Sequence, residues 1–389
     1  MNRYYVGRRD TAMSIKDAAM LDVDLEQFWK DDELAHKGNC FSPEAPQVAL
    51  GIRMSEECVF AELGEEGNPW GYTPRERRLE LNKRYNDKAE QIVGRRLLPE
   101  TLPEPDAEFP YVKRIGEVFE GKYIHNGVAE WLEGTVSTPA ELEKLLDRVE
   151  KLNLREFMLP PNWESEKKRI YEKYGIKPPL LRHIRGPVTL ATSIYGAENL
   201  IFLIIDEPDL AKRFSDVICK VIMGMAEIMD EEAGYDETNR PGGFSFADDN
   251  CCLLTPEMYE MFGYPILKAV FDRWSPNPED MRYQHSDSDM GHLLPILGRL
   301  NFTGCNFGPK VLVDEIRKYM PKTRIDGCLS PMTFMSNDID AIIREVRRDC
   351  EMARECRGLN LSTAGSINNG SLLTSMRAVM YAIQKYGRY

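Results

Sequence analysis

The chain has 389 residues, of which 42% are hydrophobic and 29% are charged, so it can bury a sizeable core as one large domain or two ordinary ones. Its 50 basic and 63 acidic residues give a formal net charge of -13. Charge of this sign repels phosphate backbones and anionic lipids, which disfavours nucleic acids and membranes as partners.

Nine cysteines, an odd number without a C-x-x-C pair, indicate neither a disulfide framework nor a zinc ribbon. Three features together predict a cytoplasmic protein: reduced thiols, an N-terminus without an apolar signal region, and the lack of an apolar run of about 20 residues.

The first 110 residues differ in composition from the rest. Pro, Glu and Arg are abundant there, and a single helix is predicted over residues 74–98. We expect residues 1–110 to form an N-terminal extension that covers a domain spanning residues 111–389. Two further segments, 48–53 and 116–123, are candidate strands.

Beyond residue 111, strands and helices alternate. Thr138, Pro139 and Glu141 occupy the cap, first-turn and capping-box positions of a helix. Strands are then predicted over residues 181–184, 243–247, 282–285, 302–306, 323–327 and 359–362. Helices are predicted over residues 209–232, 256–274, 293–300, 312–319, 338–354 and 371–386. Six strand–helix units in sequence imply parallel strands joined by right-handed crossovers.

Two architectures accommodate this alternation. Eight units close a barrel, whereas six also make an open doubly wound sheet. No G-x-G-x-x-G or G-x-x-x-x-G-K motif follows the first strand, which disfavours the nucleotide-binding sheet. The sequence therefore favours an α/β fold of the (β/α)8 TIM-barrel type.

Polar residues follow several predicted strands, and the carboxyl ends of barrel strands are where catalysis takes place. Asp248-Asp249-Asn250 follows one strand, and His285-Ser-Asp287-Ser-Asp289 follows the next. Cys305-Asn306 and Asp326-Gly327-Cys328 follow later ones. Capping of the next helix explains any single aspartate equally well, and buried cysteines are more often packing residues than ligands. Of the five histidines, His285 alone stands at a strand end, which favours a functional role.

The second half of the chain resembles the uroporphyrinogen decarboxylase superfamily. Gly186-Pro187, with Gly196 and Asp206-Glu-Pro-Asp209, is similar to its "GP…G…DP" stretch. Further similar stretches, in chain order, are Asp248 to Tyr259, His285 with Leu293 to Leu297, Asp326 to Pro331, and Asn360-Leu361 with Gly365. The resemblance implies a (β/α)8 barrel.

Within this superfamily the chain looks most like the aromatic O-demethylase methyltransferases of anaerobes. The Arg-rich N-terminal motif of the decarboxylases is not recognisable, and Ala364-Gly365-Ser366 stands where they have a closing His. The zinc methyltransferases that serve corrinoid proteins carry His-x-Cys, whereas Asp287 follows His285 here. The resemblance implies transfer of a methyl group from a methoxyarene to the Co(I) cobalamin of a partner corrinoid protein, with release of a phenol.

Such a reaction needs help for its leaving group, because a phenol has a pKa of about 10 and its anion leaves poorly. Two routes stay open. Asp248, Asp249, His285 and Asp287 are the candidate catalytic residues for protonation of the leaving oxygen. Alternatively, His285, Asp287 and Asp289, or Asp248 in place of Asp289, bind a zinc ion that acts on the ether oxygen.

Four residues are candidate substrate contacts: Asn250, Tyr283, Arg182 and Cys328. Arg182 or Arg185 is suited to pair with a carboxylate on the aromatic ring, or with surface acids. Homodimers are the commonest assembly of soluble enzymes, so a homodimer is an open expectation.

Three alternative functions are a decarboxylase-like lyase that needs no cofactor, methyl transfer between a methylcorrinoid and a thiol, and a non-catalytic binding module. The density of titratable groups after the strands disfavours the binding module.

Overall fold

The computed structural model describes residues 15–125, 130–367 and 369–389. Its strands are β1 (Ala49–Leu50), β2 (Lys122–His125), β3 (Glu130–Glu133), β4 (His183–Arg185), β5 (Phe244–Ala247), β6 (Arg282–Ser286), β7 (Gly304–Phe307), β8 (Arg324–Leu329) and β9 (Leu359–Thr363). Its helices are α1 (Ile15–Ala19), α2 (Leu25–Ala35), α3 (Glu57–Leu63), α4 (Arg75–Val93), α5 (Ile115–Val118), α6 (Pro139–Lys151), α7 (Leu154–Met158), α8 (Trp163–Tyr174), α9 (Pro187–Tyr195), α10 (Ala197–Asp206), α11 (Pro208–Glu232), α12 (Pro256–Phe262), α13 (Tyr264–Trp274), α14 (Leu294–Leu297), α15 (Val313–Tyr319), α16 (Pro331–Met335), α17 (Ile339–Ala353) and α18 (Leu373–Tyr386).

The chain divides into two compact units, one of residues 101–326 and the other of residues up to 100 together with 327–389. In the first of these, β4, β5, β6, β7 and the beginning of β8 are neighbours in that order, and each pair is parallel. A helix or helices intervene along the chain between every two successive strands of this series. The predicted β-then-α alternation is therefore confirmed.

In the second unit, β1 pairs in parallel with β9, with Ala49 opposite Asn360. The end of β8 meets β9 here, where the N–H of Ala364 donates to the carbonyl of Leu329 at 2.8 Å. Helix α18 packs against α17 and α4. The strand order is β1-β9-β8-β7-β6-β5-β4. The division of the chain at residue 110 remains a prediction.

The six strands predicted after residue 111 are all present, each with both ends within two residues of the predicted bounds. The helix predicted over residues 256–274 is two helices, α12 and α13, which meet at Gly263. Pro265 stands in the first turn of α13, and because proline lacks an N–H it cannot continue the hydrogen-bond ladder of α12. Helix α4 ends earlier than predicted, at Val93, since Gly94 adopts a left-handed conformation with φ 76°.

The strand predicted over residues 116–123 was wrong. Helix α5 covers its first part, and β2 pairs antiparallel with β3 in a separate two-stranded sheet. The physical reason is burial. Parallel strands of a barrel are covered on both faces, whereas Lys122 and His125 of β2 are exposed. The strand predicted over residues 48–53 is present but shorter, as the two-residue β1 (Ala49–Leu50).

Over the described residues, no single helix is both long enough and apolar enough to cross a membrane. One bent pair, α9 with α10 at 102°, meets the length and composition criteria only when its two helices are taken together.

Candidate active site

Strand register places one row of side chains across four adjacent strands. Arg185 of β4 lies opposite Ala247, Ala247 opposite His285, and His285 opposite Asn306. Side chains alternate between the two faces of a strand, so the residue before each of these faces the other way. Those preceding residues are buried: Ile184, Phe246, Gln284 and Cys305. The row therefore forms a polar edge on one face of the sheet, near the carboxyl ends of the strands.

His285 is held in one orientation by Asn306. Its Nδ1 lies 2.6 Å from the Oδ1 of Asn306, whose Nδ2 donates to the main-chain carbonyl of Asp326. Because the amide nitrogen is committed to that carbonyl, Oδ1 acts as an acceptor and His285 must carry its proton on Nδ1. The Nε2 atom is then free to present a lone pair, and it lies 3.7 Å from the Oδ1 of Asp249. A histidine fixed in this way is prepared to bind a metal through Nε2.

The three residues after β5 have different partners. The Oδ1 of Asp248 accepts the N–H of Thr189, and Asn250 donates to the hydroxyls of Thr189 and Thr192, so both are bound to α9. Asp249, between them, instead faces His285. The alternation follows from a tight 3-10 turn over Asp249–Leu253, which directs adjacent side chains apart.

Asp248 is fully buried, and burial raises its pKa to about 7. Its second oxygen, Oδ2, has no hydrogen-bond partner among the described residues. A Cβ on Gly186 would lie 2.2 Å from the Cβ of Asp248. Only glycine therefore leaves room for the side chain of Asp248 against the main chain at this position. Asp248 therefore joins β5 to the first turn of α9.

Asp249, His285 and Asp287 form a cluster, with one ligand atom from each lying within 4.8 Å of the others. The main-chain N–H of Asp287 donates to Asp249 at 3.2 Å, which ties the two carboxylate-bearing loops together. Burial raises the pKa of Asp249, the charge of Asp287 raises it further, and His285 lowers it. One imidazole and two carboxylates are a donor set that zinc accepts, and three protein ligands leave a position open for a substrate. The residues present thus fit a zinc ion.

The structure brings together part of the predicted site. His285 and Asp287 are joined by Asp249, whereas Asp289 is largely exposed and lies 3.8 Å from Lys310. Arg182 precedes β4 and pairs with Asp230 at 2.6 Å. These positions leave the proposed ligand role of Asp289 and substrate role of Arg182 as predictions, without a contact to the cluster.

Two other predicted substrate contacts have partners of their own. The hydroxyl of Tyr283 donates to Asp326. Burial raises the pKa of Tyr283, and the charge of Asp326 and this hydrogen bond raise it further. Cys328 belongs to the other unit, where it is fully buried and its N–H donates to Asp349 at 3.2 Å. Asn306 received no role from the sequence. The signal that indicates it is strand register, because it lies opposite His285.

Parallel strands that alternate with helices, and a histidine–carboxylate cluster at their carboxyl ends, define an enzyme of the α/β-barrel class. Comparison with known proteins then gives the family. Residues 132–386 match the model of the uroporphyrinogen decarboxylase (URO-D) family, which is well over half of the chain. The chain belongs to the uroporphyrinogen decarboxylase family.

Two relatives are methyltransferases by name. The "Methylcobamide:CoM methyltransferase MtaA" of Methanosarcina barkeri is 23% identical over 220 residues, which cover 55% of this chain and 62% of that protein. The chain thus spans less than two thirds of the length of that relative. A "methyltransferase from Methanosarcina mazei" of known structure has a TM-score of 0.54 at 16% identity, covering 89% of this chain and 95% of that one. At this identity the likeness concerns the fold, and it confirms the predicted α/β-barrel type.

Proposed function

We propose that this protein is a methyltransferase that moves the methyl group of an aromatic methyl ether to the Co(I) corrinoid of a partner protein. The observation that carries the proposal is the cluster of Asp249, His285 and Asp287 at the carboxyl ends of the strands. The names of the two relatives support methyl transfer as the reaction. The absence of a thiolate from the cluster supports an oxygen-bound methyl donor, because hard oxygen ligands suit an ether better than a thiol.

The reaction balances as a displacement. The bond between the methyl carbon and the ether oxygen breaks with its electron pair going to oxygen, and a bond from carbon to the partner's cobalt forms. The released phenolate takes up a proton from solvent. Since the partner's corrinoid supplies the nucleophile, this chain must bind the ring, align the methyl group and stabilise the departing oxygen.

The residues of the cluster are suited to the last of these tasks. A zinc ion held by Asp249, His285 and Asp287 supplies Lewis acidity toward the ether oxygen when it is bound. Asn306 keeps the imidazole of His285 turned toward the two carboxylates. The hydrogen bond from the Asp287 N–H to Asp249 fixes the separation of those carboxylates. Because His285 is fixed on β6 and the two carboxylate-bearing loops are tied together, the site is largely formed before the substrate arrives.

The test is an anaerobic mixture of the zinc-loaded enzyme, Co(I) cobalamin and a panel of methoxyarenes, with the loss of the Co(I) absorbance followed in time. We expect methylcobalamin and a phenol to form in equal amounts. Asp287→Asn should lower the rate by about 100-fold or more, because it removes one of three ligands. Asp272→Asn is the matched control, because this exposed aspartate of α13 pairs with Lys268 and has no role in the site, and it should leave the rate unchanged. Equal loss in both variants would contradict the assignment of the cluster.

A second candidate is methyl transfer between a methylcorrinoid and a thiol, which is favoured by the name of the Methanosarcina barkeri relative. The same assay separates the two functions when methylcobalamin and 2-mercaptoethanesulfonate replace the Co(I) cobalamin and the ether. Appearance of Co(I) only in this second arrangement would replace the first proposal with the second.

A further inference from the structure

Arg185, the last residue of β4, carries a charge that no ion pair with a described residue neutralises. Arg182 pairs with Asp230 and Arg324 with Asp326, whereas Arg185 forms no ion pair with any described residue. Its one hydrogen bond to a side chain runs from Nη2 to the hydroxyl of Ser193 at 2.9 Å. Its Nε is buried and has no partner within the described part of the chain. An unsatisfied buried donor on a cation costs free energy unless a ligand completes it.

The guanidinium is accessible from a cavity. Arg185 lines a cavity of about 410 Å³ whose walls are mostly hydrocarbon, including Met158, Leu181 and Met225. Lys113, Arg114 and Glu130 also line this cavity, and because Glu130 pairs with Arg114, it leaves Arg185 without an ion pair. Cavities of a few hundred cubic ångströms that combine apolar walls with a few charged groups are typical of small-molecule sites. The missing partner of Arg185 is therefore an anion that enters from this side.

Arg185 also belongs to the row that carries the cluster. Ala247 alone separates it from His285, so the two main chains are about 10 Å apart, or two inter-strand spacings. Ala247 is partly exposed, although β5 lies between β4 and β6 in the sheet. Its methyl group therefore faces free space on the side of the sheet that carries the row.

We propose that Arg185 is the anion anchor of the substrate, so that the methyl donor is a negatively charged aromatic ether whose ring lies over Ala247. The carboxylate or similar group contacts the guanidinium of Arg185, and the ether oxygen at the far end of the ring faces His285. The proposal rests on the methyltransferase function above. It adds that a neutral ether of the same size is a poor substrate, and that Arg185 and Ala247 determine this specificity.

The experiment measures binding rather than turnover. The full-length zinc-loaded enzyme is titrated by calorimetry with 4-methoxybenzoate and with neutral methoxybenzene, without any corrinoid. We expect the anion to bind about 10- to 100-fold more tightly, which is the range for hydrogen bonds to a charged group. Arg185→Gln should abolish this preference, and Arg185→Lys should keep part of it, since lysine retains the charge and loses the planar fork.

Two further variants keep the test decisive if Arg185→Gln does not fold. Ala247→Leu fills the gap and should prevent binding of both ligands while zinc remains bound. Arg299→Gln, which removes a half-exposed arginine paired with Glu260, is the matched control and should change neither affinity. Equal affinity for the two ligands, or full binding by Ala247→Leu, would overturn the proposal. Anion binding that depends on Arg185 without any methyl transfer would leave this inference standing and refute the proposed function.

Discussion

Asn306 shows how much the site depends on a residue outside the cluster of Asp249, His285 and Asp287. Its Oδ1 accepts from His285, and its Nδ2 is anchored on a main-chain carbonyl, so it determines which nitrogen of the imidazole faces the carboxylates. Partners of this kind orient metal ligands and raise their basicity.

Asn306→Ala should therefore weaken zinc binding by about 10- to 100-fold while leaving all three ligands in place. A competition titration against a chromophoric chelator measures this directly. Asn306→Asp keeps an acceptor for the imidazole and should retain more of the affinity than alanine does. Unchanged zinc affinity in Asn306→Ala would show that the orientation of His285 does not depend on this contact.

The sequence could predict the region of the site but not the choice among its neighbouring carboxylates. Asp248 and Asp249 are adjacent, and only the turn after β5 decides that one binds α9 and the other faces His285. Asp287 and Asp289 are two residues apart in a loop, where no periodicity fixes the side-chain direction. Asn306 lies 21 residues from His285, and its role follows from the pairing of β6 with β7.

At the scale of elements, the turn from β4 to α9 joins the strand framework to the site. Gly186 stands at this turn, and the closest atom to a Cβ placed there is the Cβ of Asp248, at 2.2 Å. Gly186→Ala should lower the free energy of unfolding by about 1–3 kcal/mol, as overpacking in a core does. Urea denaturation measures the change. Gly291→Ala is the matched control, because an added Cβ there has nothing nearer than 4.0 Å. Equal stability of both variants would mean that the turn has room to relax.

Helix α17 provides a second prediction at this scale, one that concerns pH. Burial raises the pKa of Asp349 to about 6, although its contacts with Arg348 and with the N–H of Cys328 lower it. The folded chain thus holds this proton more tightly than the unfolded chain, whose Asp has a pKa of about 3.9. The contribution to stability is fully present below about pH 4 and is lost as the pH rises from about 4 to 6, by roughly 3 kcal/mol.

Asp349→Asn removes this titration while keeping an oxygen that can accept from Cys328. The difference in the free energy of unfolding between the two proteins should therefore change between pH 4 and pH 6 and be constant above that range. Chemical denaturation at a series of pH values measures it. A difference that does not vary with pH would contradict the raised pKa.

The elements themselves were largely predictable from the sequence. The six later strands are short segments that alternate along the chain with amphipathic helices, and this alternation is present in the structure because parallel strands are joined by helices that pack on the sheet. The segment 116–123 failed because Val118 and Phe119 give it a strand-like composition, while their burial serves a short helix and its turn instead. The local sequence pattern cannot distinguish a buried strand from a short buried helix, since tertiary contacts decide which of the two forms.

At the scale of the whole molecule, membership of the family determines the fold, but it does not determine which reaction the protein catalyses. A fold of the barrel class supports many reactions, so function must be argued from the residues at the strand ends. Here Arg185, Ala247 and His285 lie in one row across the strands, and Asp249 and Asp287 complete the cluster from the segments that follow β5 and β6. A decarboxylase and a methyltransferase would give different products at this site: carbon dioxide in the first case, a methylated corrinoid and a phenol in the second.

The most direct test of the methyltransferase account traces the methyl group itself. The enzyme is mixed anaerobically with a Co(I) corrinoid and a methoxybenzoate labelled with carbon-13 in its methyl group, and the products of a single turnover are read by nuclear magnetic resonance. If the protein is this methyltransferase, the label moves to cobalt, one phenol forms for each methyl group, and the ring keeps its carboxylate. Label that stays on the ether, or loss of the carboxylate as carbon dioxide, would contradict it.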